Sequence, residues 1–377
     1  DYARALSAKT RLQAITDIAA QADARIPATA NANRFEAAIK SFQINAEGTV
    51  AAQSTPIIKA TNAEVQVTAS AVVPTTFMKI AGINEVTVNA VSIARPQIEN
   101  GGVACLLALN ENAPEGLHMQ GINQLQSPDC WTWVNAKSSE SINSVGAAAG
   151  LAQGFCTQGE VVGAEHFKPM PFTGCSPMED PFKHKIAPPA SASCDHNSKR
   201  LNNGLHVLHP GVYCGGLELK PQAVAVMVPG VYVIKGGRLN VQAQSHLIGE
   251  DVVFYFTGTN TGMDVHGGGE MTLRGRKEGN SYEGFLFIQD ETSNPGGQQV
   301  DIQGGGAVKM EGILYTPTWQ VAIGGNGEVN QEAKFWVMVA DNFHMEGNGT
   351  LYIRSNAESI GLPNLMPRIK NGPVILK

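Results

Sequence analysis

Two aspartates are placed so that their carboxylates could act together. Asp264 is the middle residue of the apolar-polar-apolar run MDV, and Asp301 is the middle residue of the run VDI. If these runs are strands on neighbouring turns of a repeat, their middle side chains point outward and lie one turn apart. A pair of carboxylates on adjacent turns is what glycoside hydrolysis requires. Whether the two carboxylates lie close together depends on the strands that position them.

These runs belong to a regular repeat. Each copy has an apolar-x-apolar run followed by a polar or glycine-rich corner, as in VDIQGGG and VAIGGNG. The copies begin at Leu217, Leu239, Met263, Val300, Val321 and Phe343. One such turn cannot bury its own apolar face, whereas stacked turns bury a continuous core. The sequence therefore predicts a mainly β protein with a right-handed parallel β-helix (solenoid), the handedness following the preference of parallel crossovers.

The middle residues of the six runs should form one outward row. They are Glu218, Asn240, Asp264, Asp301, Ala322 and His344. The row contains neither a second cluster of acids nor the Arg or Lys that a uronic acid would demand. A solvated outer face, which is usually polar on a solenoid, explains the row better than catalysis does. We predict no catalytic, cofactor-binding or metal-binding residues.

Six cysteines are spaced at intervals close to one turn of the repeat. They are Cys105, Cys130, Cys156, Cys175, Cys194 and Cys214. Neighbouring turns lie about 4.8 Å apart, which suits the Cα separation of roughly 4.4–6.8 Å that a disulfide needs. We therefore predict three disulfides between consecutive cysteines, and hence an oxidising compartment, either the periplasm or the cell surface.

Two other interpretations of the cysteines are open at this point. They could be buried free thiols of a cytosolic protein. Alternatively, a zinc ion could be held by Cys194, His196, His206, His209 and Cys214. These ligand types suit zinc, although no CxxC or HxxxH spacing is present.

Charge and hydropathy exclude some partners. The net charge of -6 argues against nucleic acid as the main partner. Since no run of 18 or more apolar residues occurs, the printed residues are not expected to span a membrane.

The first 98 residues have a different pattern from the repeat. Residues 1–24 and 33–42 are predicted to be helices. The first has an apolar stripe that consists of Tyr2, Leu6, Leu12, Ile15, Ile18 and Ala22. Alternating runs at 63–73 and 85–93 are predicted strands, joined by a short helix at 74–83. We therefore predict an α+β domain at 1–98 and a disulfide-linked β-helix at 99–377. Its proline-rich segment 157–193 is expected to be an irregular loop that crosses the solenoid surface or bridges two stacks.

Several stretches resemble a known family. The opening DYARALSAKTRLQ…DIAA, the segment VTASAVVPTTFMKIAGINEVTVNAVSIA and the runs PGVYCGGLEL, PGVYVIKGGRLNV and DVVFYFTG are similar to TadE/TadG-like proteins of the tight-adherence (Flp/Tad) pilus system. Many TadG proteins carry a von Willebrand A domain with a DxSxS metal site. No DxSxS occurs in this sequence, so the resemblance implies a variant without that metal-dependent adhesion function.

The resemblance implies a non-enzymatic component of pilus assembly, with a pilin-like domain next to the membrane. It implies an apolar helix upstream of Asp1 that anchors the protein in the inner membrane, and partners among minor pilins, the secretion channel or further copies of the chain. A surface adhesin or carbohydrate-binding protein is the alternative, and a polysaccharide hydrolase or lyase is a third class. Sugar stacking would use the four tryptophans, Trp131, Trp133, Trp319 and Trp336, if they are exposed.

Overall fold

The computed structural model describes residues 1–24, 31–60, 64–94, 102–183, 193–277, 282–293, 298–304, 307–363, 365–366 and 369. The chain forms two compact units, an N-terminal unit built from residues 1–101 together with 369–377, and a C-terminal unit built from residues 102–368. The protein is mainly β, and the C-terminal unit contains a large parallel sheet. Among the described helices, none is long and apolar enough to cross a membrane.

The N-terminal unit packs two helices against a small antiparallel sheet. Its elements are α1 (Tyr2–Ala24), α2 (Asn31–Ala46), β1 (Ile57–Ala60), β2 (Val65–Pro74) and β3 (Glu85–Ala94), with the strands in the order β1-β2-β3. A short 3-10 helix, Met78–Ala81, connects β2 to β3. Alternating residues of β2 are buried and exposed, as expected for a strand with one face on the core.

The buried face of α1 matches the predicted stripe in part. Leu12 and Ile15 of the stripe are buried against the sheet, together with Ala19, at the helical spacing of three and four residues. Tyr2, Leu6 and Ile18 of the stripe are instead exposed. Small alanines complete the buried face, and the hydropathy pattern alone did not distinguish their side of the helix from that of the exposed apolar residues.

A buried ion pair joins the two helices of this unit. Arg34 Nε lies 2.8 Å from Asp23 Oδ1, and neither side chain is exposed. Burial raises the pKa of Asp23, while the Arg34 guanidinium opposes that rise. Each charge compensates the desolvation of the other, so losing one partner would leave an unpaired charge in the core.

The C-terminal unit contains 24 of the strands that the structure describes. They are β4 (Ala104–Ala108), β5 (Leu117–Gly121), β6 (Gln124–Val134), β7 (Ile142–Gly146), β8 (Ala149–Thr157), β9 (Val161–Val162), β10 (Phe167–Lys168), β11 (His196–Leu201), β12 (Gly204–Leu208), β13 (Gly211–Leu219), β14 (Ala223–Met227), β15 (Gly230–Lys235), β16 (Arg238–Val241), β17 (His246–Gly249), β18 (Val252–Thr257), β19 (Gly262–Val265), β20 (Glu270–Arg274), β21 (Phe285–Gln289), β22 (Gln298–Gly304), β23 (Val308–Gly325), β24 (Glu328–Val329), β25 (Phe335–Gly347), β26 (Thr350–Tyr352) and β27 (Arg354–Ser355).

These strands pair in parallel at a regular offset along the chain. Val224 of β14 is paired with His246 of β17, and Leu239 of β16 is paired with Met263 of β19, while β15 pairs with β18 in the same way. The strands therefore form three parallel series. The first series contains β15, β18 and β21, the second contains β16, β19 and β22, and the third contains β14, β17 and β20. The long strand β23 takes part in all three. The one antiparallel pair described in this sheet joins β25 to β27. The repeat period read from the sequence is thus the spacing between paired strands.

Aromatic rings stack inside one of the series. Tyr213, Tyr232, Phe254 and Phe287 follow one another with ring centroids 6.0, 5.7 and 5.5 Å apart. The two phenol groups donate hydrogen bonds to the carbonyls of His209 and Val228, and burial raises the pKa of Tyr213 to about 12. Because equivalent residues of successive strands are aligned, large side chains pack on like side chains throughout the core.

The order of strands in the sheet differs from their order in the chain. β4 and β5, at the start of the unit, pair in parallel with β25, near its end, and β6 pairs with β26. We call this β25–β4/β5 pairing the seam. The first strands of the unit thus extend the sheet beyond its last strands. After β10 the chain must return past the seam to reach β11 at the other end of the stack.

The residues between β10 and β11 include a crossing segment, residues 173–194, whose contacts are described for residues 173–183. Trp133 Nε1 donates to the Ser176 carbonyl at 3.2 Å, and Asn135 exchanges two hydrogen bonds of 2.8 Å with the Met178 backbone. Further on, the Phe182 ring packs on Phe285. The segment therefore runs along the first series, from β6 towards β21.

The predicted irregular loop at 157–193 is too long. The structure places β9 and β10 inside it, paired in parallel with β7 and β8. These strands have only two residues each, so a pattern of alternating residues could not reveal them. The irregular part begins after β10.

Three disulfides join the consecutive cysteine pairs, with Cα separations of 5.8, 6.0 and 5.6 Å. Cys105–Cys130 links β6 to β4, one of the strands that form the seam. Cys175 and Cys194 lie at the two ends of the crossing segment, and each is bonded to a strand residue, Cys156 and Cys214 respectively. The disulfides thus fix the places where the chain order and the stacking order diverge. Disulfides of this number are typical of proteins outside the cytoplasm.

We expect removal of the Cys194–Cys214 disulfide, by C194S/C214S, to lower the free energy of unfolding by about 3 kcal/mol. The reason is the added chain entropy of an unlinked loop of about 20 residues. Urea unfolding followed by tryptophan fluorescence measures the effect, since all four tryptophans lie in the C-terminal unit. The matched control is C156S/C175S, which opens a loop of nearly equal length and should cost the same. A loss below about 1 kcal/mol in both variants would contradict the entropic account.

Candidate functional site

The middle residues of the repeat lie in register along the second series. Glu218 is paired with Asn240, Asn240 with Asp264, and Asp264 with Asp301. The row continues through Ala322 to His344, and beyond the seam to His118 and Asn143. We call these aligned residues the polar row. Their strand neighbours, such as Met263 and Val265, are fully buried, so the row faces outward by the alternation of a strand.

One half of the polar row contains the paired aspartates. Oxygen or nitrogen atoms of Asp264, Asp301 and His266 all lie within 4.8 Å of one another. The Asp264 carboxylate accepts two hydrogen bonds from Arg238, one from Nε and one from Nη2 at 2.6 Å. Asp301 Oδ1 accepts from Gln303 Nε2 at 2.7 Å. A cation at this cluster would therefore compete with a bidentate arginine for Asp264.

Basic residues accompany the acids of the polar row. Arg200, on β11, is aligned with Glu218, and its Nε lies 3.0 Å from Glu218 Oε2. Lys220 Nζ lies 2.6 Å from Glu218 Oε1. The prediction that the row lacks Arg or Lys is therefore wrong. Arg200 was missed because β11 does not match the repeat. Arg238 was missed because it lies just before the apolar-polar-apolar run of its repeat. It is two residues before Asn240, and this spacing puts both side chains on the same face of the strand.

A groove of about 290 Å³ interrupts the row at Ala322. The methyl group of Ala322 leaves a gap between the longer side chains of Asp301 and His344. Gln303 and Glu346 line the same groove. Gly324 keeps its floor open, because a Cβ there would lie 2.7 Å from Gln303 Oε1. The groove thus presents an amide on one side and imidazole and carboxylate groups on the other.

Two histidines stack across the seam beside this groove. The rings of His118 and His344 lie 4.4 Å apart between centroids and 11° from parallel. His344 Nε2 is 2.6 Å from Glu346 Oε1, and His118 Nδ1 is 3.0 Å from Glu115 Oε2. The hydrogen bond from His344 holds the pKa of Glu346 below its usual value. Each imidazole therefore has a carboxylate partner, which orients the two rings.

This arrangement suits binding better than hydrolysis. Asp264 is engaged by Arg238, and the next carboxylate of the groove, on Glu346, lies two strands beyond Asp301, which is roughly 10 Å at the strand spacing. Hydroxyl groups of a ligand could accept from Gln303 and donate to Glu346. The groove is shallow and polar, with room for a small polar group.

The remaining candidate residues lie elsewhere. Cys194 and Cys214 are bonded to each other, so the zinc site proposed from them does not form in this structure, and the described cysteines include no free thiol. The tryptophans, at 0–5% exposure, are buried. They are therefore not available for stacking on sugars, and any carbohydrate would have to bind polar groups.

No protein-family model, curated protein or solved structure matches the chain. Functional inference therefore rests on the geometry of the chain and on the resemblance seen in its sequence.

We expect the Glu346 carboxyl to titrate below its ordinary range, and the substitution H344A to raise its pKa. Because the folded pKa is depressed, the contact stabilises the fold above the unfolded pKa and is lost as pH falls through the folded value. Carbon-detected NMR titration of labelled glutamate would measure both. The control is H246A, which removes a histidine beside Glu270 instead and should leave Glu346 unchanged. An unaltered Glu346 pKa in H344A would contradict the assignment.

Proposed function

We propose that the protein is a non-enzymatic structural component of the cell envelope, of the TadE/TadG-like type that serves tight-adherence pili. The observation that carries this proposal is the placement of the three disulfides at the seam and at both ends of the crossing segment. This placement stabilises an elongated strand stack against unfolding in an oxidising environment. Such reinforcement suits a protein whose task is to hold its shape outside the cytoplasm.

We further propose that the C-terminal unit is a right-handed parallel β-helix with three strands in each turn. Support comes from the regular offset between paired strands and from the three series that they form. The handedness follows the general preference of parallel crossovers. In this proposal the β-helix projects from a pilin-like N-terminal domain.

The state of the acids supports a role without catalysis. Glu218 lies between Arg200 and Lys220, and Asp264 is held by Arg238. The oxygens of carboxylates paired in this way are occupied by charge-assisted hydrogen bonds and are less accessible to a substrate. The polar row is then a hydrated, charge-balanced surface that keeps the outer face of the sheet soluble.

The partners in this proposal are other pilus or secretion-system components, such as minor pilins, and further copies of the chain. Localisation would be periplasmic or at the cell surface, with the inner-membrane anchor that the family resemblance implies. The sequence motifs that carry the resemblance extend over both units, which favours one shared role for the whole chain.

In a bacterium that makes this protein, we expect deletion to abolish pili and surface attachment. Complementation by the parent chain and by D264N/D301N should restore both, since the aspartates have no catalytic task. Electron microscopy of pili and an attachment assay are the measurements. Normal piliation in the deletion strain would contradict the pilus assignment. Failure of D264N/D301N, despite normal levels and thermal stability of that variant, would instead favour the enzyme.

A carbohydrate-binding role is the second candidate, and the groove at Ala322 is the observation that favours it. If it is correct, a glycan array should show binding that Q303A/E346A reduces at least about tenfold, since each hydrogen bond to a charged or buried group contributes about 1–2 kcal/mol. The control is Q242A, a glutamine of β16's corner outside the groove. No binding to any glycan would count against this candidate.

A further inference from the structure

The N-terminal unit exposes large apolar side chains at one end. Phe77 is 76% exposed and Ile80 is 90% exposed, both on the connection between β2 and β3. The other members are Met78 and Ile83 on the same connection, and Tyr2 and Leu6 on α1. We call these six residues the apolar tip. A cluster of this kind on a folded protein usually marks a surface that contacts a partner or a membrane.

The apolar tip has a fixed shape. The Asp1 carboxylate accepts hydrogen bonds from the backbone N–H groups of Thr76 and Met78 at 2.9 and 2.7 Å. Arg4 Nη1 donates to Thr76 Oγ1 at 3.1 Å. The first turn of α1 is therefore fastened to the connection, and both elements present apolar side chains at the same end of the unit.

The base of the connection is closed as well. Thr75 N donates to the Asn84 carbonyl at 2.9 Å, and the C-cap Gly82 adopts φ +81 and donates to the Lys79 carbonyl. The exposure of Phe77 and Ile80 is thus built into a hydrogen-bonded turn. A sequence with no use for these side chains could replace them by polar ones at no cost to the turn.

Basic side chains lie on the same two elements as the apolar tip. Arg4, Lys9 and Lys79 are exposed, and Lys9 lies on the same face of α1 as Tyr2 and Leu6 by the helical spacing of four and three residues. Among nearby acids, the Asp1 carboxylate is engaged by backbone amides, and Glu85 begins β3. Apolar side chains ringed by cations are the pattern of a surface that lies in the interface of an anionic membrane.

We propose that the apolar tip binds the surface of an anionic lipid bilayer, with Phe77 and Ile80 inserted among the acyl chains and Arg4 and Lys79 at the lipid phosphates. A symmetric pair of copies is disfavoured, because it would bring the same cations together around a small contact. The inference goes beyond the pilus assignment and does not depend on it, since it requires no other pilus component.

Flotation with lipid vesicles tests the proposal with the chain of 377 residues. We expect the protein to float with phosphatidylcholine vesicles that contain a quarter phosphatidylglycerol, and weakly or not at all with phosphatidylcholine alone. F77S/I80S should reduce binding at least about tenfold, because two large apolar side chains no longer insert. R4Q/K79Q should remove the preference for anionic lipid.

The matched control is L205S/V207S, which removes two side chains of similar exposure, 72% and 60%, from β12 of the C-terminal unit. It should bind vesicles as the parent does. Absence of flotation with anionic vesicles, or equal flotation of F77S/I80S, would overturn the proposal. So would sedimentation showing a dimer that F77S/I80S dissociates, since the apolar tip would then bind a second copy. Circular dichroism confirms that each variant is folded.

Discussion

The seam between β25 and β4/β5 is the pairing on which the C-terminal unit depends. Leu109 N donates to the Ala340 carbonyl at 2.8 Å, and Ile122 N donates to the Gly347 carbonyl at 3.0 Å. These residues are more than two hundred positions apart in the chain, so forming the seam closes a very long loop and costs chain entropy before its contacts stabilise anything. Without it, the unit would divide into two short stacks, each with an additional exposed strand edge.

The crossing segment lies between the strands at the two ends of the stacking order, and its described part is held by specific contacts. Phe182 packs edge-on against both Phe285 and Tyr315, and the Tyr315 oxygen lies 2.9 Å from Asp180 and 3.0 Å from Glu291. Burial raises the pKa of Tyr315 and of Asp180. The phenol has one hydrogen to donate, so it can donate to only one of the two carboxylates at a time. The segment is held by aromatic packing and by the hydrogen bonds around Tyr315.

Much of the repeat could be predicted from the sequence, because its spacing is a physical length. The runs from Leu217 to Phe343 are strands in parallel register, since a near-constant period has to bring each apolar pair over the next. The cysteine spacing gave the disulfide partners for the same reason. The seam could not be predicted. Alignment of the repeats shows which strands are equivalent, but it does not show that the first strands of the unit pair with its last strands.

The candidate site was predictable only in part. The alternation of strands placed Asp264, Asp301 and His344 on one outward row, but neither the approach of Arg238 nor the stacking of His118 on His344 follows from a repeat. His118 comes from the far side of the seam, so its neighbour is set by the stacking order and not by the chain. The face of α1 was predicted only in part for a related reason. Leu12 and Ile15 of the predicted stripe are buried but Tyr2 and Leu6 are not, because packing decides which apolar residues of a helix are covered.

Inward and outward positions of the stack are under different constraints, and this bears on which residues serve function. An inward residue such as Phe254 contacts aligned residues on both neighbouring strands, so its size is restricted by packing on either side. An outward residue of the polar row meets water and needs only a compatible charge. Ala322 is unusual among the outward residues because its side chain is small and, together with Gly324, opens a groove next to the seam. Phe77 and Ile80 in the N-terminal unit are unusual for the opposite reason, because they are large apolar side chains at exposed positions where polar ones would suffice. Both features lie at the surfaces for which binding is proposed.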